Sequence, residues 1–585
     1  MAKEKFAFYE KQAIIKSEGE IPETTTEVTE TDIFYEIVYK FIIDLKEKDS
    51  PLLSILPKNI SPKLQTKILV NFFQELTIKK LKELRIESSE EKKITKDTYT
   101  LSLLVEALYD FWRGYERFFI YYTQNEENAS KTEPYTHFNE KVEKLNYLVR
   151  KTYRDIAYNI TEKSLTVYRQ VPAACQMGLI VSKEENLNLP KAKQYDKLKN
   201  IHFIKQVIIQ PPLIINPSTN TRSGEFTRVN KHPFDKVVIN DEDWLCYPAK
   251  VGELIIYFYF HNKFIGTGAA VANLFDLATE KDMQKKPDGI YLCGVNGDAL
   301  SGFESKTVFY EDDKNDVMVA AIPNASEFGY FGYIKKMLLT LHNIIMMKKG
   351  RMPVHGAMVR ISLKNKKSAN IVIWGDSGAG KSETLEAFRT LSGEYLRDIK
   401  IIFDDMGSLE VTKDGIKAYG TETGAFVRLD DLSLEYAFGS IDRAIIMNPN
   451  KTNARTVIPI TTMEEVLKGY DVDYILYANN YEEVDEYHPV FEKLENMEKA
   501  MEVFKRGARM AKGTTSEKGL VYTYYANIFG PSQYKEMHDK IADKFFKKMF
   551  SSKIKVGVIR TRLGLSGYET KGPEAAAKEL FKMIG

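Results

Sequence analysis

Eight residues, Gly375-Asp376-Ser377-Gly378-Ala379-Gly380-Lys381-Ser382, spell G-x-x-x-x-G-K-S, and Glu383 follows them. This phosphate loop limits the fold more than any other feature, because it works only between a strand and a helix. The run before it, Ile371-Val372-Ile373-Trp374, is apolar and β-branched, and the stretch from Glu383 to Leu391 has a helical pattern. Strand, loop and helix are therefore expected in that order. In such a turn the glycines let backbone N–H groups converge on phosphate oxygens, and the helix N-terminus adds favourable partial charge. Lys381 is expected to reach the outer phosphates of a nucleoside triphosphate (ATP or GTP) or of pyrophosphate, and the Ser382 hydroxyl to ligate Mg²⁺.

A chain of 585 residues is too long for one hydrophobic core and predicts two to four domains. Net charge of +2 argues against a general nucleic-acid binder, although the cluster Lys348-Lys349-Arg351 offers local positive charge. Cys175, Cys246 and Cys293 stand far apart with no C-x-x-C pair, so neither a disulfide framework nor a zinc site is expected and a reducing cytoplasm is the expected location. Met1 to Lys5 lacks an apolar signal core. The greasiest stretch, Leu101 to Tyr122, is interrupted by Glu106, Asp110, Arg113, Glu116 and Arg117, so no membrane span and no membrane partner are expected.

From about Asp32 to Ile160 the apolar residues recur at helical spacing: Ile33, Ile37, Phe41 and Ile42 form one stripe, and Leu101, Leu104, Leu108, Phe111 and Trp112 another. Residues 1–195 are read as an α-helical N-terminal domain of open role, a place where a protein partner could dock. The aromatic cluster from Trp112 to Tyr122 is read as helical core. A polar run, Glu87 to Lys93, is taken to join two helices, and Ser182 to Lys199 to mark the end of the domain. From Ile201 onward short β-type runs (Phe203–Ile209, Val237–Ile239, Leu254–Phe260) alternate with loops such as Pro211-Pro212, and Gly572 to Ile584 reads as a closing helix.

Around the loop other chemistry gathers. Tyr330-Phe331-Gly332-Tyr333-Ile334-Lys335-Lys336 lies upstream, then His355 in Pro353-Val354-His355-Gly356, and downstream Asp404-Asp405 ends the apolar run Ile399–Phe403. A carboxylate at a strand's C-terminal end beside a phosphate loop commonly holds the nucleotide's magnesium. In order, spacing and residue type together, the pattern resembles phosphoenolpyruvate carboxykinase, whose Y-G-G-E-M-K-K precedes an M-H-C-S-A-N strand, a G-x-S-G-x-G-K-[ST] loop and a G-D-D-E strand. Glu422-Thr423-Gly424-Ala425-Phe426-Val427-Arg428 is similar to that family's E-G-G-C-Y-A-K, Thr452-Asn453-Ala454-Arg455 to its E-N-T-R, and Phe226-Thr227-Arg228 with Asp235-Lys236 to its F-T-G-R-S-P-K-D-K.

The resemblance implies an α/β fold: a P-loop domain of mixed sheets and helices over 330–585, with a lid near 506–519, a substrate-side α/β domain over 196–329, and the helical domain before them. It implies metal-dependent phosphoryl transfer between a nucleotide (or pyrophosphate) and a small carboxylated, enolisable substrate, with oxaloacetate and phosphoenolpyruvate the leading pair, hence a kinase and lyase that decarboxylates. Lys336 as neutral amine, His355 and Asp405 would bind Mn²⁺, while Ser382 and Asp404 would serve the nucleotide's Mg²⁺. Lys335, Lys381 and Arg455 would stabilise the transferring phosphoryl group, Arg228 would clamp a substrate carboxylate beside Tyr330, and Arg428 would sit near the nucleotide phosphates. Arg222 competes with Arg228 for its role. The lid would close to exclude water from a reactive enolate.

The chain also departs from that family. Tyr333 replaces the acidic residue of Y-G-G-E-M-K-K, Gly356-Ala357-Met358 replaces C-S-A, and Met406 follows the acidic pair. Val354-His355-Gly356, the loop from Gly375 to Glu383, and Asp404-Asp405 are together similar to HPr kinase/phosphorylase, which implies an alternative acceptor, a protein serine. A module that holds nucleotide without turnover is the third expectation.

Overall fold

The computed structural model describes residues 5–18, 21–123, 133–164, 166–167, 170–184, 187–219, 226–391, 396–429, 441–452, 454–511 and 518–585. It divides into two compact units, Met1–Lys183 with Phe203–Leu213, and Glu184–His202 with Ile214–Gly585. Both mix helices with sheets, so the chain is α/β. Among the described residues no helix is long and apolar enough to cross a membrane.

In the first unit the helical stripes fold as their spacing demands. Asp32–Glu47 buries Ile37, Val38, Phe41, Ile42 and Leu45 on one face, and Thr31 caps it by accepting from the Phe34 amide at 3.2 Å. Pro62–Leu76 is capped by Ser61 and Thr98–Arg113 by Asp97 in the same way. The unit is nevertheless not all-helical, which corrects the sequence reading. Lys5–Tyr9 and Gln12–Ser17 form a hairpin; Gln12–Ser17 pairs parallel with Glu116–Tyr122, and that strand pairs parallel with Met177–Ser182. Residues 203–209 then add an antiparallel strand. The Trp112–Tyr122 cluster is thus half helix end, half strand. Gly114 closes the helix by donating to the Asp110 carbonyl at 2.9 Å, and Phe118, Phe119 and Ile120 are fully buried in the strand beyond. A strand covered on both faces shows no two-residue alternation, so its sequence does not announce it. The boundary near 195 moves accordingly, since residues 203–213 return to the first unit.

The second unit carries two sheets that matter here. In one, the hairpin Trp244–Val251 and Leu254–His261 continues through Gly289–Val295 and Val317–Pro323 to Val308–Asp312 and Thr227–Arg228. In the other the strand order is Tyr470–Asp471, Ile416–Gly420, Leu396–Val411, Met352–Leu363, Ser368–Trp374, Tyr474–Asn479, Lys555–Arg560, Phe491–Lys493. The expected strand at Val237–Ile239 does not form. The closing helix does, over Lys571–Ile584, and with Lys381–Thr390 it covers one sheet face; the Phe388 and Phe581 rings meet at 5.3 Å. Helix Phe331–Lys348 buries 15 of its 18 residues and packs on both Val317–Pro323 and Met352–Leu363. That packing is why the expected border at 329/330 does not separate two compact units.

Candidate functional site

Three strands set the level of the site. Met352–Leu363 runs antiparallel between Ser368–Trp374 and Leu396–Val411, and Gly356 faces Trp374 on one side and Asp405 on the other. The start of the phosphate loop, His355 and the acidic pair therefore share one height in the sheet. Glycine is required at 356, because a Cβ there would come within 2.5 Å of the Ile373 carbonyl oxygen. The acidic pair does not end its strand, as expected, but stands in mid-strand, with pairing that runs on through Leu409. A regular strand would send two successive side chains to opposite faces. Asp405 instead has φ of +115°, a strained value, and both carboxylates line the same cleft.

The loop itself lies between Ser368–Trp374 and Lys381–Thr390, as its motif predicts. Its carbonyls are drawn outward. Asn480 Nδ2 donates to the Gly378 carbonyl at 2.8 Å, Thr561 Oγ1 to that of Ala379 at 2.7 Å, and Thr384 Oγ1 to that of Gly380 at 2.6 Å. Gly380 has φ of +95°, and a Cβ there would strike Thr561 Oγ1 at 2.5 Å. The amides of Gly378 and Gly380 make no hydrogen bond among the described residues, the condition expected of a cradle shaped for anionic oxygens. Lys381, 5% exposed, donates to the Asp376 carbonyl at 3.1 Å. Ser382 Oγ lies 3.2 and 3.1 Å from the two carboxylate oxygens of Asp404, a pair of hard oxygen donors that fits Mg²⁺.

Behind the cleft is a buried charge network. Lys335 Nζ sits 2.6 Å from Asp405 Oδ2 and 3.4 Å from Glu422 Oε2. His355 Nδ1 donates to the Ala526 carbonyl, which can only accept, and this turns Nε2 toward Asp405 Oδ1 at 3.0 Å. Burial alone would push the Asp405 carboxyl up, but Lys335, His355 and Lys381 together hold it well below the usual carboxylate range. Burial pushes Asp404 up, with Lys381 opposing and Asp405 reinforcing. Glu422, fully buried, is pushed by burial to about 8 despite Lys335. For Lys335 burial acts downward, yet Asp405 and Glu422 hold its ammonium above the ordinary lysine value.

The expected metal trio is only partly assembled. His355 and Asp405 meet, but the lysine in contact with Asp405 is Lys335 rather than Lys336. Lys336 Nζ lies 5.2 Å from the centre of the Phe529 ring, which also packs on His355, and burial lowers its pKa, the direction a neutral amine ligand needs. Among the described residues no group of three or more His, Cys, Asp and Glu side chains is arranged to hold a metal ion. His355 and Asp405 offer one nitrogen and one oxygen donor, a mixed set that does not select one divalent cation, and a ring whose Nδ1 is held by a backbone carbonyl is oriented as metal-binding histidines are.

A cleft of about 940 Å³ opens over these groups, lined by Ser377, Lys381, Ser382, Asp404, Asp405, Arg428 and Arg455, with Glu383 at its edge. The two arginines face each other on paired strands Gly424–Arg428 and Arg455–Pro459. Arg455 also stacks over the Phe426 ring at 5.3 Å, and Tyr330 meets the same ring at 6.0 Å, one layer back from the cleft. Arg228 does not line the cleft; it is half-exposed, lying over the Tyr534 ring at 4.6 Å and 3.4 Å from Glu311. Arg222, Asn453 and residues 512–517 of the expected lid lie outside the described residues, while the flanks of that lid, Ala508–Met510 and Leu520–Tyr522, pair antiparallel.

Sequence reasoning gave no role to Glu422, Arg509, Asn480 or Thr561. Arg509 Nε donates to Asp376 Oδ2 at 2.7 Å, both side chains being buried, and the Ser377 amide donates to the other oxygen of Asp376 at 2.7 Å. The one available signal for Glu422 was its position at the head of the Glu422–Arg428 segment. No family model matches this chain, and no curated protein matches it either. The functional reading rests on the site.

Proposed function

We propose that this protein transfers a phosphoryl group between a nucleotide or pyrophosphate and a small carboxylated, enolisable acceptor, with a divalent cation. The observation that carries the reading is the shared cleft: an anion-shaped loop with Lys381, the Ser382–Asp404 oxygen pair, Asp405 backed by Lys335 and His355, and two arginines opposite. In a carboxykinase-like reaction, a β-keto acid loses CO₂ and leaves an enolate oxygen. That oxygen attacks the terminal phosphorus, the bridging P–O bond breaks, and the nucleoside diphosphate departs, or phosphate when pyrophosphate is the donor. Lys381 and Arg455 stabilise the negative charge of the moving group, Arg428 stands near the nucleotide phosphates, and Lys335 acts through Asp405 as a positioning residue. Ser382 and Asp404 would hold Mg²⁺ and His355 with Asp405 a cation such as Mn²⁺, ions that neutralise charge on phosphoryl oxygens when bound.

A second reading, phosphorylation of a protein serine, is favoured by one observation. Arg228, the expected clamp for a small carboxylate, is engaged with Glu311 and Tyr534. Thermal shifts with ATP, GTP and pyrophosphate, each with Mg²⁺ or Mn²⁺, test the shared claim, because a ligand that binds the folded state raises apparent stability. Lys381→Ala should abolish the shift, and an unchanged shift refutes the phosphate-loop assignment. Turnover then separates the readings: bicarbonate-dependent consumption of phosphoenolpyruvate with nucleoside diphosphate supports the small acceptor, and transfer of labelled γ-phosphate to a protein serine supports the other.

A further inference from the structure

The segment that holds His355 has a backbone of unusual hand. Tyr525, Ala526 and Asn527 follow one another with φ of +44°, +59° and +58°. Residues with a Cβ enter this region singly, because the Cβ crowds the carbonyl that follows, and a run of three needs outside support. Two helices supply it. Helix Met497–Arg506 ends at Gly507, where a Cβ would lie 1.9 Å from the Thr523 carbonyl oxygen and 2.5 Å from the Ala526 nitrogen, and its Lys505 carbonyl accepts from the Tyr525 amide at 3.1 Å. Helix Phe331–Lys348 supplies Asn343, fully buried, whose Nδ2 donates to the Phe529 carbonyl at 2.8 Å. Tyr525 and Ala526 are themselves fully buried, and the Tyr525 ring packs against Trp374 at 6.1 Å and His538 at 4.7 Å.

Between those anchors the segment touches His355 twice. The Ala526 carbonyl takes the Nδ1 hydrogen, and the Phe529 ring lies against the imidazole at 5.8 Å with 39° between the planes. An edge and a face of a ring only 1% exposed are thus both held, with Nε2 3.0 Å from Asp405 Oδ1. Asp405 is in turn gripped by Lys335, which stands on the same helix as Asn343. One helix therefore fixes both halves of the pair, Asp405 directly and His355 by way of the turn. A free neutral histidine exchanges its hydrogen between two nitrogens, and a backbone carbonyl, which only accepts, removes that freedom. We infer that the left-handed turn Tyr525–Asn527 is a positioning element, anchored by Asn343 through Phe529, that confines a hydrogen to His355 Nδ1 and holds Nε2 beside Asp405 for the divalent cation. The inference rests on the cation site proposed above.

The full chain has eight histidines, and ¹⁵N-histidine labelling with His355→Gln identifies the His355 resonances. At pH 7.5 without metal, wild type should show a slowly exchanging hydrogen on Nδ1, whatever the state of Nε2. A hydrogen confined to Nε2, or resonances averaged between the two forms, overturns the inference. Asn343→Leu removes the donor and keeps the volume, so it should average the two forms. It should also raise the Kd for Mn²⁺, read from the spin resonance of the free ion, about tenfold or more, the usual cost of loosening a ligand's supporting partner. Its pyrophosphate thermal shift without metal should stay at the wild-type value, because the phosphate loop is untouched. A single Nδ1 hydrogen that persists in Asn343→Leu, or an unchanged Kd there, also overturns the inference, and the wild-type resonances decide it if that variant does not fold. An Mn²⁺ affinity unchanged in His355→Gln refutes the cation site itself, a result separate from the place of the hydrogen.

Discussion

Glu422→Gln tests whether the buried network holds a neutral acid. Glu422 has no exposed surface, and its pKa is raised from 4.5 to about 8 by burial, with Lys335, 3.4 Å from Oε2, opposing. Between those values the folded state holds one more proton than the unfolded state, so stability is greatest below about 4.5 and declines as pH rises toward 8. Each pH unit within that range corresponds to about 1.4 kcal/mol. Glutamine keeps the shape and cannot titrate. Urea unfolding of wild type and Glu422→Gln, each in a Trp112→Phe background so that emission reports the second unit, should be compared at pH 5.5, 6.5 and 7.5. The stability of wild type minus that of the variant should fall by about 1.4 kcal/mol at each step and level off above pH 8. A difference that stays flat from 5.5 to 7.5 means Glu422 is ionised throughout that range, and the account of the network fails.

Other perturbations read other parts of the site. Arg509→Met leaves the Asp376 carboxylate buried without its guanidinium partner and should cost about 3–5 kcal/mol in urea unfolding, with a weakened ATP shift as the loop loses its anchor. Gly356→Ala forces a Cβ within 2.5 Å of the Ile373 carbonyl and should destabilise the second unit by more than about 2 kcal/mol; a smaller loss would mean the three strands can spread apart. Asp404→Asn should leave stability near wild type or raise it, because burial already disfavours the charged form, while removing the Mg²⁺-dependent part of the ATP thermal shift.

Features that depend on a few neighbouring residues were legible in the sequence. The phosphate loop forms between strand and helix because glycines, a β-branched run and a helical pattern stand side by side. What long-range packing decides was not legible. Lys335 and Lys336 are adjacent on a helix buried almost all round, so no polar stripe tells which one faces Asp405. The strand Glu116–Tyr122 is buried on successive residues and reads like the helix before it. Arg509 reaches Asp376 across 133 positions, and no local pattern encodes such a pairing.

The acidic pair shows how a legible residue type can hide its geometry. Asp404 and Asp405 announce carboxylate chemistry, but an ordinary strand would leave only one of them in the cleft. The positive φ at Asp405 brings in the second, at a backbone cost of order 1–3 kcal/mol that the surrounding contacts must offset. Those contacts are visible: Lys335 and His355 grip the Asp405 carboxylate, and Gly356 lets the central strand close in beside it. At φ of +115°, beyond the left-handed region near +57°, Asn would be strained as Asp is, so what sets Asp apart at 405 is its charge, which Lys335 and His355 answer. In the phosphoryl-transfer reading proposed above, that charged group is the one that would hold a divalent cation against the phosphoryl oxygens.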